Sequence, residues 1–169
     1  DVNLYKDMPA FSEVDRMRYG MVHSLYQHHD GKIWLGCQEG KYMLYDTANR
    51  KTTFTELKEA EGASIRCIRA DKKGNIWFAT QRGHIIRYDG KQFKTVQLFR
   101  TIVPEITFDH QGRIWVATLN QGLYCLSEDG ETIVRHFTDK TDSDALFMNS
   151  GNDLELLNDS ILAYSAGAL

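Results

Sequence analysis

The sequence lacks any strong excess of charge and any long apolar run. Its 169 residues carry 20 Lys and Arg against 23 Asp and Glu, a net charge of −3, so there is no basic surface to suggest nucleic acid as a partner. No apolar stretch is long enough to cross a bilayer, so we expect no direct membrane insertion of this segment. The opening residues, DVNLYKDMPA, have neither the basic start nor the apolar core of a signal peptide. These absences leave a cytosolic protein, or one whose targeting segment has been removed.

The sequence also has too few cysteines, at spacings too wide, for a disulfide framework or a metal cage. Cys37, Cys67 and Cys125 each fall in an apolar run, and we expect them to be small buried side chains. The pair His28-His29 is expected to alternate faces on a strand, which suits joint metal ligation poorly. Neither a Gly-x-Ser-x-Gly nor a His-Glu-x-x-His motif occurs. We therefore expect no catalytic residue, no metal and no cofactor.

What the sequence does contain is one pattern written three times. DGKIWLGCQEGKYMLYD begins at Asp30, KGNIWFATQRGHIIRYDG at Lys73 and QGRIWVATLNQGLYCLS at Gln111. When the copies are aligned on their tryptophans, the period is about 40 residues, which is typical of a propeller blade or a solenoid unit.

The segments inside each repeat favour the propeller. Each copy is preceded by one extended run and followed by another, and all of these pieces are short, rich in β-branched and aromatic residues, and separated by glycine-containing turns. Helical repeats would need longer segments with apolar residues three and four positions apart. We predict an all-β fold, a β-propeller of four-stranded antiparallel blades. One blade cannot bury both of its faces alone, so Trp34, Trp77 and Trp115 are expected to fill the space between neighbouring sheets.

The predicted blades do not close a ring. Whole blades are expected at 21–58, 64–99 and 102–138, and a partial fourth blade at 152–169. Residues 1–20 are interpreted as an outer-strand remnant of a neighbouring blade. Such a partial ring has exposed sheet edges unless the remaining blades of the parent chain, or a second copy of this chain, cover them.

The repeated pattern resembles the two-component regulator propeller repeat. That family has an Asp-Gly turn, Ile-Trp-hydrophobic-Gly/Ala-Thr, a glycine turn and a strand ending near Tyr-Asp, and the resemblance is strongest from Val22 to about Leu126. It implies the periplasmic sensor portion of a hybrid two-component histidine kinase that senses an oligosaccharide or another small ligand, with a cytoplasmic location as the alternative. The chain itself carries no kinase motif, so we expect no enzymatic activity from this segment.

Candidate ligand-binding residues lie in the loops between the second and third strands, which share a face of the propeller with the links between blades. Charged and amide side chains on such a rigid rim suit sugar hydroxyls or carboxylates, although plain solvated turns are the alternative. The candidates are Gln38, Glu39, Gln81, Arg82, His84, Asn120 and Gln121. The turns on the opposite face, HHDG, DKKG and DHQG, repeat closely and are interpreted as hairpin turns.

A second candidate place is the central channel. Arg66 and Arg69 lie three apart on the predicted inner strand of the second blade and so point to opposite faces. One could bind an anionic ligand, but pairing with a neighbouring carboxylate is the favoured interpretation. Two other functions stay open, a protein-interaction scaffold and a metal-dependent lyase or hydrolase. The second needs several acidic or histidine side chains on inner strands, where the sequence offers only His23, Glu105 and Glu155.

Overall fold

The computed structural model describes residues 21–140, 145–158 and 161–167. In these ranges the strands form three four-stranded antiparallel sheets and one two-stranded sheet, each a simple meander. The first sheet contains β1 (Val22–Gln27), β2 (Lys32–Cys37), β3 (Lys41–Asp46) and β4 (Lys51–Glu56). The second contains β5 (Ile65–Ala70), β6 (Ile76–Thr80), β7 (His84–Tyr88) and β8 (Phe93–Leu98). The third contains β9 (Glu105–Phe108), β10 (Ile114–Ala117), β11 (Leu123–Leu126) and β12 (Ile133–Phe137). The two-stranded sheet contains β13 (Gly151–Asn158) and β14 (Ile161–Ala166).

The sheets follow one another as blades of a partial ring. The first strands of successive sheets are neighbours, since β1 packs on β5, β5 on β9, and β9 on β13. The predicted all-β propeller fold is therefore confirmed. The interpretation of residues 1–20 as an outer strand concerns a segment outside the described residues.

The Ile-Trp pair at the start of each second strand fills the space on both sides of its sheet. Ile76 packs with Trp34 in the core between the first and second blades. Trp77 packs with Ile114 in the core between the second and third blades. The isoleucine thus faces the preceding blade and the tryptophan faces the following one, because successive side chains of a strand point to opposite faces.

A carboxylate six residues upstream fixes two of the tryptophans. Trp77 Nε1 donates to Asp71 Oδ2 at 2.8 Å, and Trp115 Nε1 donates to Asp109 Oδ2 at 3.0 Å. Burial alone would raise the pKa of Asp109, but hydrogen bonds from Trp115 and Arg113 outweigh it and lower the pKa. The first-turn aspartate of these two blades therefore holds both the hairpin and the indole.

Two expectations about cysteine and histidine need revision. All three cysteines are buried, but Cys67 is more than a small apolar side chain, because its thiol donates to Glu105 Oε1 at 2.8 Å. His28 and His29 do not alternate along a strand, because β1 ends at Gln27 and both residues belong to the following turn. Their ring centroids lie 3.9 Å apart, so the expectation of opposite faces is wrong.

Candidate functional site

The loop between β6 and β7 is held between two blade linkers on one face of the propeller. Phe99 N donates to Gly83 O at 3.0 Å, and Arg82 Nη1 donates to Glu61 O at 2.8 Å. On the other side, Gln81 N donates to Ser64 O at 2.8 Å. These bonds place the loop next to linkers 57–64 and 99–104, which confirms that strand 2–3 loops and blade links share a face. We call this surface the rim.

The rim contains two neighbouring depressions that meet at Gln81 and Arg82. One has a volume of about 390 Å³, and the other, of about 360 Å³, extends toward Gly62 and Ile102. The residues that give the larger depression its polar character are Glu61, Gln81, Arg82, His84, Arg100 and Thr101. A concave surface of this size with converging polar groups is the usual form of a small-ligand site.

Gly83 allows the second linker to approach the loop closely. It has φ of +91°, and a Cβ there would lie 2.7 Å from both Arg100 N and Thr101 O. Glycine is the residue that tolerates both the positive φ and this close approach. The linker residue Arg100 itself adopts a left-handed φ of 55°, so its side chain leaves the backbone in a direction fixed by the turn.

His84 forms a buried corner of the larger depression. Thr80 Oγ1 accepts from His84 N at 3.0 Å and lies 3.1 Å from His84 Nδ1. Glu61 Oε2, which can only accept, lies 3.7 Å from His84 Nε2, so we assign the proton of the neutral ring to Nε2, with Nδ1 accepting from the Thr80 hydroxyl. Burial lowers the pKa of His84, with the Glu61 charge opposing the shift. The imidazole is therefore neutral at pH 7 and presents an N–H at the rim.

Hydrogen-bond donors outnumber acceptors around the larger depression. The guanidinium groups of Arg82 and Arg100 and the His84 N–H are donors, whereas Glu61 supplies the one carboxylate among its described lining residues. Such a set suits a neutral or anionic ligand that is rich in oxygen acceptors.

The structure brings together only part of the predicted rim set. Gln81, Arg82 and His84 line one depression. Asn120 joins them indirectly, because its Oδ1 accepts from the Thr101 hydroxyl at 2.8 Å.

The other predicted rim residues lie apart from the depression. Gln121 is engaged through its backbone, with its carbonyl oxygen 2.6 Å from His136 Nε2. Glu39 forms an ion pair with Lys41 at 2.6 Å, and Gln38 N donates to Met21 O at 3.2 Å. Neither Gln38 nor Glu39 is among the described residues that line the rim depressions.

The repeat pattern does not predict the linker residues Glu61, Arg100 and Thr101 of this depression. The linkers differ from copy to copy, so the repeat gives no position at which to look for a side chain. The rule that linkers share a face with the strand 2–3 loops was the one available signal, and it identifies segments rather than residues.

Of the two channel arginines, Arg69 pairs with a carboxylate, whereas Arg66 contacts a histidine. Arg69 Nη2 lies 2.8 Å from Glu105 Oε2, toward the third blade. Arg66 Nη1 lies 3.4 Å from His23 Nδ1, toward the first blade. Burial, followed by the Arg66 charge, lowers the pKa of His23, so a neutral imidazole faces the guanidinium.

Glu105 is a largely buried carboxyl group of the channel. Burial raises its pKa even though the Cys67 thiol and Arg69 oppose the change. Within the described ranges, no three His, Cys, Asp or Glu side chains converge as metal ligands. No helix in the described part of the chain has the length and apolar character needed to span a membrane.

The fold has clear structural neighbours of low sequence identity. PorZ, a bacterial surface component of the type IX secretion system of Porphyromonas gingivalis, matches with a TM-score of 0.73 and 19% identity, over 92% of this chain and 26% of PorZ. The extracellular domain of the hybrid two component system BT3049 from B. thetaiotaomicron matches with a TM-score of 0.68 and 18% identity, over 89% of this chain and 19% of that one. The extracellular domain of the one component system BT4673 from the same organism matches with a TM-score of 0.72 and 18% identity, over 90% of this chain and 22% of that one. The chain thus spans about a quarter or less of each of these proteins.

Sequence comparison identifies the repeat itself. Residues 61–82, from the first rim linker through β5 and β6 to the β6–β7 loop, match the family model described as two component regulator propeller. A comparison with curated proteins found no match. The matched segment includes Glu61, Gln81 and Arg82, which line the larger rim depression. The chain is therefore a partial β-propeller in which one blade matches the two component regulator propeller repeat and two further blades carry the same sequence pattern.

Proposed function

We propose that this propeller is the ligand-sensing part of a periplasmic two-component sensor and that its rim binds an oligosaccharide. The recognised repeat and the likeness to extracellular domains of bacterial regulatory systems support the sensor assignment. In this proposal the parent protein is a hybrid histidine kinase, and this segment contributes binding rather than catalysis. The remaining blades of the parent chain complete the ring around it.

The observation that carries the binding proposal is the larger rim depression of about 390 Å³. Its polar side chains come from a strand 2–3 loop and from two blade linkers, so a bound ligand touches neighbouring blades at once. A sugar offers several hydroxyl or carboxylate oxygens on one rigid ring, which matches the arrangement of Arg82, Arg100 and the His84 N–H. Binding across the blade junction would also give the ligand a direct influence on how the two blades pack.

Calorimetric titration with a panel of neutral and uronic-acid oligosaccharides tests the proposal. We expect Arg82→Ala and Arg100→Gly each to weaken binding roughly tenfold, the effect of losing one charged hydrogen bond of about 1.5 kcal/mol. Arg50→Gly is the matched control, because Arg50 is also an exposed arginine with a left-handed φ, 56°, but lies in the β3–β4 turn. Melting temperatures should shift by no more than about 3 °C, since each change alters one exposed residue. Equal affinity in the parent and both rim variants would place the ligand elsewhere.

A further inference from the structure

A second cavity lies between the first and second blades, near the β1–β2 turn and away from the rim. It has a volume of about 330 Å³ and is lined by His28, Lys32, Trp34, Tyr42, Ile76 and Tyr88, among others. At the junction between the second and third blades, the pocket beside the equivalent β5–β6 turn has only about 100 Å³ and is not lined by Trp77. The repeat therefore builds two similar junctions, of which one is open.

The β11–β12 turn covers Trp77, whereas the equivalent β7–β8 turn does not cover Trp34. In the third blade, Gly130 packs on the Trp77 ring, where a Cβ would lie 3.0 Å from Trp77 Cζ3. Gly90 occupies the same turn in the second blade, beside Trp34, and a Cβ there would meet no atom within 4 Å. Gly90 accordingly lines the cavity between the first and second blades together with Trp34. The gap over Trp34 is the space that the Gly130 turn fills over Trp77.

The repeat is also broken chemically at this junction. Six residues before Trp34 stands His28, where the next two blades have the aspartates that accept from Trp77 and Trp115. The blade 1 indole therefore lacks the carboxylate that fixes its two counterparts. The identity of this one side chain distinguishes the open junction from the closed one.

His28 carries a buried acceptor with no partner. Its Nδ1 lies 2.9 Å from Asp30 Oδ1. Because a carboxylate only accepts, Nδ1 carries the proton of a neutral imidazole, and in that form Nε2 is an acceptor. His28 Nε2 is the one buried side-chain nitrogen or oxygen in the described part of the chain that makes no hydrogen bond. Unsatisfied buried acceptors are disfavoured, and a ligand that donates to one gains the interaction.

The walls of the cavity restrict the chemistry of the ligand. Asp30 and Lys32 form an ion pair at 2.8 Å, so the polar side of the cavity favours no net charge. The other side is formed by Trp34, Leu44 and Ile76, with further aromatic side chains. A sugar ring brings several hydroxyls, most of which would be buried here without partners. A phenol brings one hydroxyl and a flat ring, which fits between two packed sheets about 10 Å apart. We propose that this cavity binds a small neutral phenol, whose hydroxyl donates to His28 Nε2.

The test is a titration of the intact protein with phenol and with anisole, followed by the indole N–H signals of the three tryptophans. Phenol should shift the Trp34 signal saturably and leave those of Trp77 and Trp115 in place. Anisole has the same ring without the donor and should bind about tenfold more weakly, the effect of one hydrogen bond. No saturable shift with phenol, equal affinity for the two probes, or displacement of phenol by methyl glucoside would overturn the proposal.

Variants assign the effect to individual side chains. His28→Phe should bind phenol and anisole equally, because the acceptor is gone. Leu44→Trp keeps the acceptor but fills the cavity, and it should abolish binding of both probes. His110→Phe is the matched control in the closed junction, where His110 is exposed, and it should leave both affinities unchanged. If His28→Phe fails to fold, the phenol-to-anisole ratio of the parent together with Leu44→Trp still decides; an unchanged affinity in Leu44→Trp would remove the cavity from consideration.

Discussion

Truncating the central tryptophan of the second blade should destabilise the protein more than truncating its counterpart in the third blade. Trp77 has no exposed surface and fills the junction between the two blades. Its ring lies 5.9 Å from the Phe108 ring, and the Arg87 guanidinium lies 5.8 Å from its centroid. Replacing Trp77 with alanine removes all of these contacts together with the hydrogen bond to Asp71.

The size of the effect follows from burial and from the fate of the carboxylate. Removing a buried tryptophan costs about 3–5 kcal/mol through lost transfer energy and the cavity left behind. Asp71 loses the indole N–H but keeps the Asn75 side-chain amide and backbone donors at Lys73 and Asn75, so the lost bond adds only about 1 kcal/mol. We expect Trp77→Ala to lower the free energy of unfolding by about 4–6 kcal/mol, a large share of the roughly 5–15 kcal/mol typical of a domain.

Urea unfolding followed by far-UV circular dichroism measures this difference, since fluorescence would change with the loss of the indole itself. Trp115→Ala is the comparison, because Trp115 makes the same bond to Asp109 but is only half-buried; we expect it to cost about 2–3 kcal/mol. A loss below about 2 kcal/mol for Trp77→Ala, or a larger loss for Trp115→Ala, would refute the assignment of Trp77 to the inter-blade core.

Three further predictions concern pH, the channel and association. The pKa of His84 is lowered in the folded protein, so the unfolded chain binds the extra proton first. The contribution of His84 to stability should be full above about pH 6.5 and should decline as the pH falls through the lowered pKa. Leucine is the residue at the equivalent position of the third blade, Leu123. His84→Leu should therefore make the melting temperature less dependent on pH across that range. Glu105→Gln removes the partner of a partly buried guanidinium and should cost about 1–2 kcal/mol in urea unfolding; an unchanged midpoint would contradict the importance of that pair. Leu157 and Ile161 are 61% and 51% exposed on the two-stranded sheet, so we expect this sheet to associate with a second copy of the chain. Sedimentation should detect dimers at micromolar concentration, and changing both residues to lysine should abolish them. A parent protein that stays monomeric would contradict this.

The fold could be predicted from the sequence because every blade buries both faces of its sheet with the same types of residue at the same positions. Short segments of β-branched and aromatic residues between glycine turns define the strands, and the Ile-Trp pair predicts burial on both faces of β2, β6 and β10. Trp34 and Trp77 are buried as predicted. The role of Asp71 and Asp109 as acceptors for the indoles was not predicted. Aspartate is common in hairpin turns, so its presence there indicated no further contact.

The candidate site was predictable only where it coincides with the repeat. Gln81, Arg82 and His84 belong to a loop at a fixed place in the pattern, so the sequence placed them on the rim. Glu61 and Arg100 come from linkers without a common pattern, and their left-handed backbones, with φ of 50° and 55°, set side-chain directions that strand periodicity does not describe.

The most direct test of the proposed rim site is an amide NMR map of the protein titrated with the oligosaccharide that binds best in calorimetry. The proposal predicts that the amide signals of Gln81, Arg82, Arg100 and Thr101 shift together with one dissociation constant, while those of the β3–β4 turn around Arg50 stay in place. A bound oligosaccharide that leaves these four rim signals unmoved would contradict it.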